Sequence, residues 1–600
     1  MTRAAAAAAA ALLVLTLAAA AHAASPPPRG PVYDEQGRLV KVPYAPAAPK
    51  PVLTEEQALL AFMSVPKVKH WLARYPKKTL VKQAIYDSKY RDWDAKVWSG
   101  KAGQIAGGRV DDLSAIVTEA FTGPQVAWAM ARGGNGAFGG KKINSLPVWL
   151  GFCAVFLLGL GDLRRPFSLR NLDLLGLLSF SVSLWYFNHG HIFASASLVY
   201  PGLAYLLART LWIGIRDRPP PTSRPLWPIW VLAAATVFLG GFKIGLNVRD
   251  SNVIDAGFAG PIGAQRISTG QSPYGNFPIE DDLKPCGPAD RNGEIRERIQ
   301  TNGRCEAANP SGDTYGPVLY QSYLPGYWIF GWTGKWDDLP SAHFTSIAFD
   351  LLCLIGLGLV GRRFGGNRLG VTLAFAWAAY PFAQYVSQSN TNDAIMPAFL
   401  IFGFWLSTSH WARGLFVGLA GWTKFAALIV APMWLTYPEF RRTRRTGLWF
   451  IGGFAVATVL AFWVLFLEPS PLHAAHEFWK RTVPTQVERD SPFSLWDWGQ
   501  YHAAGIPGLS WLQKVLDAVV LGGAIVLAVL PRKKSPLQLA ALTAALLIGF
   551  EVVLTHWFYL YLPWFFAFVA YAVLAGDLRP AEATVASKDE HQTRELVPAG

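Results

Sequence analysis

Long apolar runs recur through the second half of the chain and beyond it, beginning near residues 147, 171, 192, 227, 342, 369, 394, 414, 447, 513, 536 and 556. A helix needs roughly 20 apolar residues to cross a hydrocarbon core about 30 Å thick. In lipid every backbone polar group must be satisfied internally, so runs of this kind are restricted to helices. Residues 146–576 therefore predict a polytopic α-helical membrane domain of about 12–13 transmembrane helices. Composition agrees, because 52% hydrophobic and 16% charged residues leave too few charges for a water-facing surface. The formal charge of +14 would suggest a nucleic-acid partner in a soluble chain. Here the basic residues gather in short loops such as GDLRRPFSLRN and GRRFGGNRLG, where they mark the cytoplasmic side. The expected partner is the lipid bilayer, with no nucleic acid.

Residues 1–23 combine one Arg, an apolar run and a small-x-small pattern at Ala21-His22-Ala23, the pattern of a secretory signal; an uncleaved anchor helix is the alternative. Residues 24–53, rich in Pro and Ala, read as a linker. Thr54 to Gln57 form a capping-box pattern that predicts a helix running to about Arg74. Alternating runs at AIYDSKY, WDAKVWS, AGGRVDD and AIVTEAFTG then predict short antiparallel strands. This order over residues 54–132, with VDDLSAIVTEAFTGPQ, resembles the PepSY-like domains of bacterial envelopes. The resemblance implies a small exported α+β module that binds or regulates, and Gly-rich residues 133–140 would link it to the membrane part.

Starting outside, the basic loops alternate correctly until GLFVGLAGWTKFAALIVAPMWL. A single crossing there would place RRTRR at 441–445 outside, against the positive-inside rule. A re-entrant or broken hairpin restores the sign, with two limbs of about 12 residues each spanning some 18 Å. Its backbone is tolerable only where protein or a cavity covers it. Lys424 then sits near the tip. Loops 248–341 and 468–512 fall outside, and the charged tail 577–600 reads as a disordered cytoplasmic segment. The protein is thus expected in a bacterial cytoplasmic membrane, multi-pass, with its N-terminal domain exported.

Loop 248–341 opens with NVRDSNVIDAGFAG, placing Asp250 and Asp255 within about two helical turns of the bilayer edge. That is where an enzyme meets a lipid-borne substrate. Each carboxylate has a structural alternative as a helix cap or ion-pair partner. The small residues Ala256 to Gly263 would let a substrate approach the backbone. Lys424, in a largely apolar hairpin, reads as a phosphate partner more readily than as a snorkelling side chain. Arg481 and Arg489 are further cations, although exposed loop cations are common. Tyr274, Tyr315, Gln388, Asn390, His556 and Tyr559 collect on the same side as candidate substrate contacts, with an interfacial aromatic belt as the alternative for the tyrosines. His189-Gly190-His191 lacks a third ligand, and GxSxG, Walker and paired-Cys zinc patterns are not evident, so neither metal nor cofactor is expected.

Taken in order, these segments resemble the GT-C membrane glycosyltransferases, in particular the polyprenyl-phosphate-sugar-dependent, mannosyltransferase-like branch. The matching features are Asp255 followed by Gly270 to Tyr274, TYGP at Thr314 to Pro317, SQSNTND at Ser387 to Asp393, WTKFAALIVAP, FWKRT with RDSPFSLW, and HWFYLYLPW. They run from about residue 227 to 575. The resemblance implies inverting, metal-independent transfer of a hexosyl or pentosyl group from a lipid-linked sugar donor to a glycan, lipid or protein acceptor. One acidic residue would act as base, and cations would hold the donor phosphate. The chain departs from the pattern in placing three spans and a domain ahead of the acidic loop, and in offering two Asp residues five apart. A transporter or flippase of lipid-linked saccharides is the rival, since broken helices and midplane charges mark transporters too. The long aromatic outer loops and the lack of an internal repeat favour catalysis.

Cys153 and Cys353 lie in apolar spans. Cys286 and Cys305 share the exported loop and would close about nineteen residues, worth about 3 kcal/mol as a disulfide. A non-reducing peptide map of protein purified without reductant should recover that linked pair. Two free thiols would exclude the bridge.

Overall fold

The structure is a computed structural model. It describes residues 50–578 apart from 89, 135–137, 219–226, 278–311, 333–338, 488–490 and 499–507. Outside those limits it gives only the strand pairs Val32–Tyr33 with Leu39–Lys41 and Arg298–Ile299 with Cys305–Glu306. The signal, most of the linker, nearly all of the tail, Arg489 and the Cys286–Cys305 pairing lie outside the described residues.

The N-terminal domain begins with α1 (Glu55–Ser64), where the Gln57 amide donates to the Thr54 hydroxyl and the Gln57 side chain returns the bond to the Thr54 N–H. The helix stops short of Arg74 because Pro66 restarts the chain as α2 (Pro66–Leu72); the proline ring removes a ladder donor. Four antiparallel strands follow in sequence order, β1 (Leu80–Asp87), β2 (Asp92–Ser99), β3 (Gln104–Asp111) and β4 (Val117–Thr122). Phe62, Val68 and Leu72 pack with Trp93, Val97, Ala106 and Val110 as the domain's core. Buried Asp112 accepts from the Val52 and Leu53 amides and from the Trp93 indole. Burial works to raise its carboxyl pKa, but the Leu53, Val52 and Trp93 donors outweigh it and hold the group below the usual range.

The helical body contains, in order, α3 (Leu146–Leu160), α4 (Leu169–Leu178), α5 (Phe180–Asn188), α6 (Ile192–Arg216), α7 (Ile229–Asp250), α8 (Asp255–Ser268), α9 (Pro317–Ser322), α10 (Leu324–Phe330), α11 (Pro340–Ala379), α12 (Pro381–Gln388), α13 (Ile395–Trp405), α14 (His410–Gly421), α15 (Ala431–Thr436), α16 (Thr443–Phe462), α17 (Pro471–Val487), α18 (Ser510–Val529), α19 (Pro536–Val553) and α20 (Leu562–Leu574). Among the described residues, six helices are long and apolar enough to cross a membrane: Ile192–Arg216, Ile229–Asp250, Pro340–Ala379, Phe440–Leu467, Ser510–Val529 and Pro536–Val553. The other apolar runs are built from shorter or broken helices such as α3, α13 and α20. The 40-residue α11 is itself two limbs, because Gly366 takes φ 81° and the chain doubles back until Gly361 lies against Gly370. Asp350 in one limb accepts from Lys243 of α7 and from the Trp377 indole of the other limb, both at 2.9 Å. Removing one partner of so buried a pair costs about 3–5 kcal/mol.

Helices α14 and α16 run parallel, with Gly414 against the Phe450 carbonyl and Gly418 against Ala457. The chain between them must therefore return, and it does so through the tight turns Phe425–Val430 and α15. The result is a helical hairpin with Lys424 at its tip. At the opposite end of the body, Arg363 donates to Thr408, the Phe440 amide to Arg532 and the Lys534 amide to Pro438. Arg362, Arg363, Arg368, Arg441, Arg442, Arg444, Arg445, Arg532 and Lys533 thus share one basic end, opposite the end that bears the N-terminal domain.

One expectation is overturned. The small residues of α8 are not an open approach for substrate: Gly260 faces the Tyr323 ring, Gly263 the Tyr320 ring and Gly257 the Asn390 carbonyl, each closer than a Cβ would tolerate. They let α8 pack tightly on α9, α10 and the turn after α12.

By the positive-inside rule the basic end is expected to face the cytoplasm. A cysteine introduced at position 443 should stay unlabelled by an impermeant maleimide in intact cells and react after permeabilisation. Labelling before permeabilisation would refute that orientation.

Candidate functional site

The end of the body facing the N-terminal domain is organised by the turn Ser387–Asp393. SQSNTND offers side chains that compete with the helix ladder, and Asn390 adopts φ 47°. The Asn247 amide donates to the Ser387 carbonyl (2.6 Å) and to Asn390 Oδ1 (2.8 Å). Asn390 Nδ2 donates to Ser251 Oγ and the Asn252 carbonyl, and Gln388 Nε2 to the Lys243 carbonyl. Backbone amides of Asn252 and Ile254 donate to the Gln388 and Ser389 carbonyls at 3.0 and 3.2 Å. Gln388 and Asn390 are both fully buried, and their bonds hold the segment between Asp250 and Asp255.

Asp250 ends α7 and Asp255 begins α8; both are half-buried. Asp255 Oδ1 accepts from the Ala256 amide at 2.7 Å, a favourable position for a carboxylate at a helix start. Asn392 reaches the carbonyl of the same Ala256 at 3.5 Å.

Next along the turn, buried Asp393 accepts from Lys424 Nζ, from the Trp564 indole (3.0 Å) and from Thr391 Oγ1. The ammonium lies 5.0 Å from the Trp564 ring, 5.5 Å from Tyr561 and 5.6 Å from Tyr315, within the range of cation–π attraction. Tyr315 is brought there by TYGP docking on the hairpin tip, where the Gly316 and Val318 amides donate to the Thr423 and Trp422 carbonyls. Tyr274 donates to the Tyr315 carbonyl at 2.8 Å. The Tyr323 hydroxyl and Asn392 Oδ1 are buried with no hydrogen-bond partner among the described residues.

The other predicted residues are spread wider. Arg481 Nε lies 3.4 Å from Asp313 and 3.8 Å from Glu477. Burial pushes the Asp313 carboxyl up, against the pull of the Gly275 amide and Arg481. His556 Nδ1 contacts Ser491 Oγ at 3.0 Å and its ring stacks on Trp128 of the N-terminal region. Tyr559 is buried and shares a 2.7 Å hydrogen bond with Ser183 of α5, so it packs the body. Sequence reading missed the Asp393, Tyr561 and Trp564 environment of Lys424. Asp393 stood in SQSNTND, but nothing in its spacing names its partner. Among the described residues, no group of three or more His, Cys, Asp or Glu side chains is arranged to hold a metal ion.

Residues 325–556 match the model of glycosyltransferase family 87. The matched stretch includes Gln388, Asn390, Lys424, Arg481, Arg489 and His556; Asp250, Asp255, Tyr274, Tyr315 and Tyr559 lie beyond its limits. No curated protein and no solved structure matches the chain.

If Asp393 and Lys424 form a desolvated pair, a double-mutant cycle with Asp393→Asn and Lys424→Met should give a coupling energy of about 1–3 kcal/mol. Thermal unfolding of the four proteins in nanodiscs measures it. Additive effects would reduce the pair to mere neighbours.

Proposed function

We propose, proceeding from the glycosyltransferase family 87 region at residues 325–556, that the protein transfers a sugar from a polyprenyl-phosphate donor to a glycan, lipid or protein acceptor. Transfer takes place at the N-terminal-domain end of the body, on the outer face of the cytoplasmic membrane. The observation that carries this reading is the convergence of the Asp250–Asp255 segment, the SQSNTND turn and the Lys424 hairpin tip at one end, with the basic loops at the other. The positive-inside rule then puts the convergent end outside. The N-terminal domain, helices followed by a four-stranded meander, is in this reading an exported PepSY-like module.

The chemistry needs little apparatus. A polyprenyl phosphate is already a good leaving group, so one carboxylate to take the acceptor's proton suffices. Direct displacement inverts the anomeric carbon and passes the bonding electrons to the departing phosphate oxygen. Asp255 is the favoured base: it is partly accessible, and its turn is tied to the Ser387–Asp393 segment. Lys424 supplies positive charge for the phosphate by sharing its ammonium between Asp393 and the donor, and Arg481 adds a second cation. Tyr315, Tyr561 and Trp564 offer ring faces to the same region.

The re-entrant hairpin gives the transporter reading its one specific support. Sealed vesicles separate the two, since glycosyl transfer without net movement of lipid-linked saccharide is enzymatic.

Asp255→Asn retains size and much of the hydrogen bonding while removing basicity. Turnover should fall by about 10² to 10⁴ with donor binding largely kept. Near-normal turnover in this variant, with a large loss in Asp250→Asn, would move the base to Asp250.

A further inference from the structure

The sequence RGGNGAFGG has the composition of a flexible tether, yet its described residues on both sides of 135–137 are packed. Gln125 Nε2 donates to the Gly190 carbonyl and the Gly134 amide to the Asn188 carbonyl, both at 2.9 Å. Trp128 stacks on His556 with ring centroids 5.8 Å apart and meets the edge of Phe493 at 5.7 Å. Phe493 and Ser491 hold the same imidazole from other sides. Farther on, Phe138 packs on Phe558 at 4.7 Å. A Cβ at Gly139 would lie 3.4 Å from Gln388, and one at Gly140, where φ is +81°, only 2.4 Å from the Asp250 carbonyl oxygen. The segment from Asp250 to Ile254 is therefore bounded on one side by its hydrogen bonds to Gln388 and Ser389 and on another by Gly140.

We propose that Gln125–Gly134 and Phe138–Asn144 are positioning elements of the glycosyl-transfer site. Trp128 sets the orientation of His556, and Gly140 sets the placement of the acidic segment, so the N-terminal domain is mechanically joined to the chemistry. This rests on the functional reading above for what the site does; the mechanical joining stands on the contacts alone. A methyl group at 140 has no room beside the Asp250 carbonyl and must displace it. A misplacement of about 1 Å at a catalytic group can cost about 10²-fold in rate.

The experiment uses the full-length protein in nanodiscs, comparing wild type with Gly140→Ala, Trp128→Ala and Trp128→Phe. Hydrogen-exchange mass spectrometry follows peptides spanning 250–256, 387–393 and the strands of the N-terminal sheet, and transfer is assayed with a polyprenyl-phosphate sugar. Gly140→Ala should speed exchange across 250–256 by about tenfold while the sheet keeps its protection, and should lower kcat by about 10²-fold. Trp128→Ala should raise the KM for donor or acceptor by about tenfold through a loosened His556, a candidate substrate contact, and Trp128→Phe, which keeps a stacking ring, should restore it. Wild-type exchange at 250–256 and wild-type kinetic constants in both Gly140→Ala and Trp128→Ala would reduce the segment to a tether and overturn the inference. Two variants at separate contacts keep the test readable if one fails to assemble. A wild-type protein without transfer activity would overturn the functional reading, and the exchange data would still decide the joining.

Discussion

Backbone that leaves the helix at membrane depth must find its hydrogen bonds within the protein, because lipid offers none. In this protein the turn after α12, buried within the body, meets the same requirement. Asn247, Gln388 and Asn390 meet it by bonding carbonyls and one another across the break. The amides of Asn252 and Ile254 add a short ladder to Gln388 and Ser389. The bonds that make the break tolerable are thus the bonds that hold Asp250 and Asp255 at the edge of the body. Satisfying the backbone and ordering the carboxylates have a single source.

Three buried charges of the body sit in ion pairs. Lys243 is matched by Asp350, Arg209 by Asp173 and Lys424 by Asp393. A lone cation in so apolar a setting is costly, and a hydrogen-bonded carboxylate offsets much of that cost. The Lys424 pair differs in its surroundings, since three aromatic rings stand 5.0–5.6 Å from the ammonium. It also joins the hairpin tip to the SQSNTND turn and, through Trp564, to α20. An arriving phosphate would redistribute an existing attraction, with the rings lowering the penalty for partial separation from Asp393.

The family 87 match begins at residue 325 and ends at 556, yet the parts beyond it are not appended loosely. TYGP lies on the hairpin tip, Gly257 of α8 lies against the Asn390 carbonyl, and Trp128 lies on His556. Each contact brings an element from outside the matched stretch onto one within it. The N-terminal domain and the acidic segment accordingly belong to the same packed end of the molecule.

The sequence by itself determined the membrane class, the N-terminal helix cap and four strands, the clustering of basic loops and the hairpin that carries Lys424. Those features are local: run length, period-two alternation, the Thr54–Gln57 spacing and the charge sign of RRTRR each act within a few residues or count along the chain. Only the tertiary structure decided that Asp393 and Lys424, 31 residues apart, meet, that Gln388, Asn390 and Tyr559 are buried, and that the glycines of α8 are a bed for tyrosine rings. Pro66 ended a helix that composition alone would have extended. The physical reason is that lipid and protein core are equally apolar, so a hydrophobic pattern shows that a helix is buried without showing which face meets protein. Partners across the body are chosen by shape and hydrogen-bonding geometry, which appear only once the helices are packed.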